Sequence, residues 1–99
     1  MRTIAPVTPG EMLEEEFLKP LGLTKYRLAK DIGVPPQRIG DIVAGKRAIN
    51  ADTDLRLCCY FGLIDGWWLR GQASFDTAVA REAMSEELSR IFRCTLLPA

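Results

Sequence analysis

Apolar positions recur along this chain at helical spacing, and proline, glycine and capping residues cut them into about five segments. Thr8-Pro9-Gly10-Glu11 has the threonine-x-x-glutamate spacing of a capping box, with proline at the first helical position, where its missing N–H costs nothing. Met12, Leu13, Phe17 and Leu18 carry the first apolar stripe, and Pro20 with Gly22 should end it, which predicts a helix over about residues 9–19. Thr24 is a second cap, with Leu28, Ala29 and Ile32 behind it, for a helix over about residues 25–32. A third helix opens near Pro36, turns Ile39, Ile42 and Val43 inward, and stops at Gly45. Asn50 caps a fourth, with Leu55, Leu57, Cys58 and Phe61 on its buried side and Gly62 at its end. Asp65 caps a fifth, on which Trp68, Leu69, Gln72, Phe75 and Val79 fall on or near one face. Met84, Leu88, Ile91 and Phe92 form a later set out of step with that face, and Ser85 is a cap for a separate segment. No period of two appears, so the fold class is all-α.

The second and third helices form a unit over about residues 24–44. Gly33 supplies the left-handed residue that turns the chain. Ala29 is small where two helices cross, and Val34 with Ile39 fills the angle between them, so that the amino end of the third helix projects outward. A projecting helix start offers free N–H groups to phosphate and first-turn side chains to the major groove. Gln37 can pair bidentately with adenine, Arg38 can reach guanine or phosphate, and Asp41, one turn later, can accept from a cytosine amine or stay solvated or paired within the protein. Lys25 and Tyr26 open the second helix while Lys46 and Arg47 follow the third, where they suit phosphates. With Pro36 and Gly40 these residues make the candidate DNA-contact set. Solvation alone is the competing reading for each lysine.

Charge distribution supports that placement although the sum does not. The 99 residues have a formal net charge of zero. Residues 24–47, however, set Lys25, Arg27, Lys30, Arg38, Lys46 and Arg47 against Asp31 and Asp41, a balance of +4, and the segments on either side are each at −2. The chain contains no histidine, which removes the commonest general base and metal ligand and makes an enzyme the weakest reading. Cys58, Cys59 and Cys94 form neither a disulfide framework nor a spaced metal pair, and read as small apolar or incidental residues. No cofactor or metal is implied. Trp67 and Trp68 invite a stacking reading, but core packing is the better one, with Trp68 inward and Trp67 partly exposed. No apolar run reaches the roughly 18 to 20 residues of a membrane span, and residues 1–9 lack the apolar stretch of a secretory signal, so a soluble, cytoplasmic protein is expected.

The chain resembles the HigA-type antitoxins, a branch of the phage-repressor-like (XRE-type) helix-turn-helix proteins, over about residues 7–80. The resemblance rests on Pro9-Gly10-Glu11, the run from Phe17 to Leu23, Leu28-Ala29, Gly33-Val34 and Gly45-Lys46-Arg47-Ala48-Ile49. Leu55-Arg56-Leu57, Phe61-Gly62, Trp68-Leu69 and Gln72 complete it. It implies a five-helix lambda-repressor-like DNA-binding domain over residues 1–80 and a carboxyl-terminal helical extension, residues 81–99, suited to dimer or partner contact. It further implies a homodimeric autorepressor that binds double-stranded operator DNA and neutralises a small HigB-type ribonuclease toxin. Pro35-Pro36 and Gly40 depart from the polar residues common at those family positions, and Leu63-Ile64 from the usual polar start of the fifth helix. Mid-helix, Gly40 costs up to about 1 kcal/mol of helix propensity. Two rivals stay open on sequence: a stand-alone phage-type repressor, and an interaction module that binds a toxin with little affinity for DNA.

Overall fold

Six helices joined by short turns make up most of residues 6–96, the part of the chain that the computed structural model describes. Residues 1–5, part of the segment read as lacking a secretory signal, and residues 97–99 of the extension lie outside it. The first helix, α1, is assembled from Pro9–Met12, a π-helical Leu13–Leu18 and Lys19–Leu21. The Thr8 hydroxyl accepts from the Glu11 N–H at 3.1 Å, as the capping box requires. Of the two expected stop signals, Pro20 is taken into the helix, which runs on to Leu21, and Gly22 ends it at φ +63°. A proline inside an α-helix removes one hydrogen bond and presses its ring on the carbonyl four residues back. The wider π turn relieves that clash, because donors reach one carbonyl further, as the Lys19 N–H does to the Glu14 oxygen. It also places Leu13 and Leu18, five residues apart, together in the core.

Helix α2 is Lys25–Ile32 and α3 is Pro36–Val43. Thr24 caps α2 by accepting from the Arg27 N–H at 3.0 Å. Gly33 turns the chain at φ +74°, a conformation that costs other residues about 1 kcal/mol or more. Helix α4, Ala51–Phe61, is capped by the Asn50 amide oxygen, which accepts from the Thr53 N–H at 2.9 Å. Helix α5, Trp67–Ala83, breaks at Met84, and α6 is the short Ser85–Ser89.

The core draws Leu13 and Leu18 from α1, Leu28, Ala29 and Ile32 from α2, Ile39 and Ile42 from α3, Leu57 and Cys58 from α4, and Trp68 from α5. Phe17, Phe61, Trp67 and Trp68 pack as an aromatic cluster of tilted and edge-on rings, with ring centroids of Phe17 and Phe61 at 4.7 Å. Trp68 is buried and Trp67 half-buried, as expected. Leu55 and Val79 are not on the buried side: both are about half exposed, because α4 packs through Leu57 and Cys58, and α5 leaves the core after its first turns.

Asp65 does not cap α5. Its place is taken by Asp54, buried in the first turn of α4, whose carboxylate accepts from the N–H groups of Gly66 at 2.7 Å, Trp68 at 2.8 Å and Leu69 at 3.1 Å. A buried charge is tolerated where donors converge on it at the positive end of a helix dipole. Ser85 likewise makes no side-chain cap for α6, since the chain enters that helix directly from Met84. Among the described residues no helix is long and apolar enough to cross a membrane.

Candidate nucleic-acid interface

Contacts from the surrounding helices hold the α2–α3 pair and the loop that follows it. Gly10 of α1 meets the α3 backbone so closely that a Cβ there would overlap the Ile42 carbonyl. Only a residue without a side chain permits that approach. Arg56 of α4 reaches across to the end of α2, donating from Nη1 to the Ile32 carbonyl at 2.7 Å and so satisfying an acceptor that the helix end leaves open. Gln72 of α5 accepts from the Ile49 N–H at 2.9 Å, which straps the loop after α3 to the body of the molecule.

With those contacts in place, the first turn of α3 faces outward. Pro36 and Gln37 are exposed, and no side chain caps the helix. Ile39 and Ile42 fix the opposite face in the core, and Val34 is buried in the turn, as the sequence predicts. The exposed Gln37 amide donates from Nε2 to Asp41 Oδ1 at 2.9 Å, one turn along the same face. Gly40 faces open space, with nothing within 4 Å of where a Cβ would stand.

Arg38 is placed differently from expectation. It is half-buried and turned back toward α4, with Nη1 3.5 Å from Asp52 Oδ1. Asp52 also accepts from Arg56 Nε at 2.7 Å, and that bond holds its carboxyl below the usual carboxylate range. The competing acid lies fourteen residues away in the chain, outside any local pattern. Arg38 thus braces α3 against α4 in this structure rather than projecting with Gln37.

Basic residues flank the exposed turn. Lys25 and Tyr26 stand exposed at the start of α2, with Lys25 Nζ 4.0 Å from a Glu14 carboxylate oxygen. Lys46 and Arg47 are exposed in the loop after α3, and neither has an ion-pair partner among the described residues. Arg27, by contrast, is bound to Asp31, which also accepts from the Tyr60 hydroxyl at 2.6 Å. The Tyr60 bond, with Arg27 beside it, lowers the Asp31 pKa from its ordinary value. The Arg27–Asp31 pair is already counted within the balance of +4; Asp52 of α4 offsets that balance further at Arg38, and Lys30, Lys46 and Arg47 have no ion-pair partner among the described residues.

Sequence reasoning missed the roles of five residues that build or support this surface. Gly10, Arg56 and Gln72 entered only through a capping pattern, an apolar face and the family resemblance. Asp52 and Asp54 did not enter as site residues, although an acid three and four residues before Leu57 and Cys58, on the apolar side of α4, was a readable anomaly.

Comparison with known proteins places these features in a wider set. Residues 15–65 match the helix-turn-helix family. Virulence-associated protein I of Dichelobacter nodosus is 47% identical over 76 residues, which cover 77% of this chain and 70% of that protein. Antitoxin HigA-1 of Vibrio cholerae is 33% identical over 82 residues, covering 83% of this chain and 77% of that protein. Among solved structures, the Pseudomonas aeruginosa antitoxin HigA with the higBA promoter superposes with a TM-score of 0.83 at 30% identity, covering 91% of this chain and 98% of that one.

Proposed function

Since the chain belongs to the helix-turn-helix family that includes the HigA antitoxins, we propose that it is a DNA-binding autorepressor and the antitoxin of a toxin–antitoxin pair. The observation that carries this reading is the exposed, uncapped first turn of α3, with Gln37 on it, the start of α2 with Lys25 on one side and the basic loop after α3 on the other. Gln37 is the base-reading side chain, and Asp41 lies beside it on the contact face. Pro36 and Gly40 let the duplex approach without a bulky side chain in the way. Lys25, Tyr26, Lys46 and Arg47 take phosphates, which fixes register and supplies salt-dependent affinity. Arg38 contributes by holding the angle of α3.

Two copies reading half-sites about one helical turn apart would combine their affinities. The extension beyond residue 80 carries exposed Met84, Ile91 and Phe92, which suit contact with a second copy or with the toxin. The protein acts by binding, and no catalytic step is assigned to it.

The test is a gel-shift and salt titration on the DNA upstream of its own gene, with and without the product of the neighbouring reading frame. Specific binding should weaken steeply with salt, and Lys46→Ala should reduce the log–log slope by about 1. Undetectable binding at low salt, or affinity unchanged by Gln37→Ala, overturns the DNA assignment. Failure to co-purify with any neighbouring gene product overturns the antitoxin assignment and leaves a stand-alone repressor.

A further inference from the structure

The hydrogen bond between Gln37 and Asp41 has a consequence for which base the glutamine can read. A terminal amide has two orientations of nearly equal shape, reached by rotation about a broad, soft torsion. They exchange donor for acceptor, and the major-groove edge of a base distinguishes them. Adenine offers N7 as acceptor and N6–H as donor, so it needs the amide in one orientation only, whereas guanine offers two acceptors, N7 and O6. An amide free to flip can serve either.

Gln37 is not free. Asp41 stands four residues on, where side chains on one helix face meet. Its carboxylate accepts and cannot donate, so only the NH2 side of the amide can face it. The geometry agrees, with Gln37 Nε2 2.9 Å from Asp41 Oδ1. Asp41 is half-buried and Gln37 exposed, and the Lys46 N–H donates to the Asp41 carbonyl at 2.8 Å, so the partner doing the orienting is the better anchored of the two. One N–H of Gln37 and its Oε1 remain available, the donor and acceptor pair that adenine requires.

We infer that Asp41 is a specificity-determining positioning residue: it holds the Gln37 amide in the orientation that accepts adenine and excludes guanine at one operator base pair, without itself touching a base. This inference rests on the DNA-binding reading above and adds to it the residue that sets base choice.

The experiment uses the full chain and its own upstream DNA, with each base pair of a half-site varied in turn. Affinities are measured for the unaltered protein, Asp41→Ala, the near-isosteric Asp41→Asn, Gln37→Ala, and Gln37→Ala combined with Asp41→Ala. Both Asp41 variants should lose about tenfold of the adenine-over-guanine preference at one position. That position should be the one at which Gln37→Ala also loses preference, and the double variant should lose no more than Gln37→Ala alone. Binding to unrelated DNA should not fall, which separates loss of orientation from loss of fold. A preference that survives both Asp41 substitutions overturns the inference while leaving the repressor reading intact, as does a change at a different base pair, which would mean that Asp41 reads directly. If the unaltered chain shows no operator preference at all, the DNA reading fails and the inference with it.

Discussion

Between Leu13 and Trp68 every helix sends side chains into one apolar core, whereas among the described residues after Trp68 none is buried. Helix α5 spans both regimes. Its start is held by Asp54, Trp68 and Gln72, and its far half carries exposed Val79 and three alanines, at 78, 80 and 83. Helical structure there rests on local propensity, in which alanine ranks highest, rather than on burial. Two parts of one helix thus have different physical origins. The first is a component of the scaffold that aims α3, and the second is a projecting arm that gains stability only when something packs on it.

Removing Asp54 should separate these regimes most sharply. Asp54→Ala leaves three N–H groups at the start of α5 without their acceptor, and is expected to destabilise the fold by about 4 kcal/mol, lowering the melting temperature by ~20 °C. Thermal denaturation followed by circular dichroism checks this, and a loss under about 1 kcal/mol would show the cap to be dispensable.

The next effect in size is expected at Gly10. Gly10→Ala drives a methyl group into the Ile42 carbonyl of α3, and overpacking against backbone costs about 3 kcal/mol. Operator affinity measured well below the melting point should fall too, since the displaced element is the reading helix. Unchanged stability and affinity would mean that α1 can retreat without consequence.

Smallest of the three is truncation after Ala83. Because none of the described residues of the extension is buried, the remaining fold should change by less than about 0.5 kcal/mol in dilute solution. Its self-association or toxin binding, followed by sedimentation, should be impaired. A large drop in monomer stability would erase the contrast between the two regions.

The distribution of these residues explains what the sequence could and could not reveal. Thr24, Gly33, Gly45, Asn50 and Gly62 act on neighbours within four residues, and the bounds of α2, α3 and α4 follow from them. The outward face of α3 is equally local, set by Ile39 and Ile42 on its opposite side. Asp54 acts twelve to fifteen residues away, Gln72 twenty-three, and Arg38 is captured by an acid fourteen residues on. Those pairings are products of the packed fold, and no window along the chain contains both partners at a recognisable spacing. Pro20 failed as a stop signal for a different reason: the helix before it had another hydrogen-bonding register in which to accommodate the ring.

That register makes the first helix a length adjuster. A wide turn takes up a surplus residue without rotating either neighbour out of place, so the leucines at 13 and 18 both stay in the interior although the count between them does not suit an ordinary helix. Deleting one of the three consecutive glutamates is therefore a change in hydrogen-bonding register as much as in charge. The shortened stretch would close into an ordinary helix with the leucines at 13 and 18 still on one face, and the proline ring would press on the turn before it.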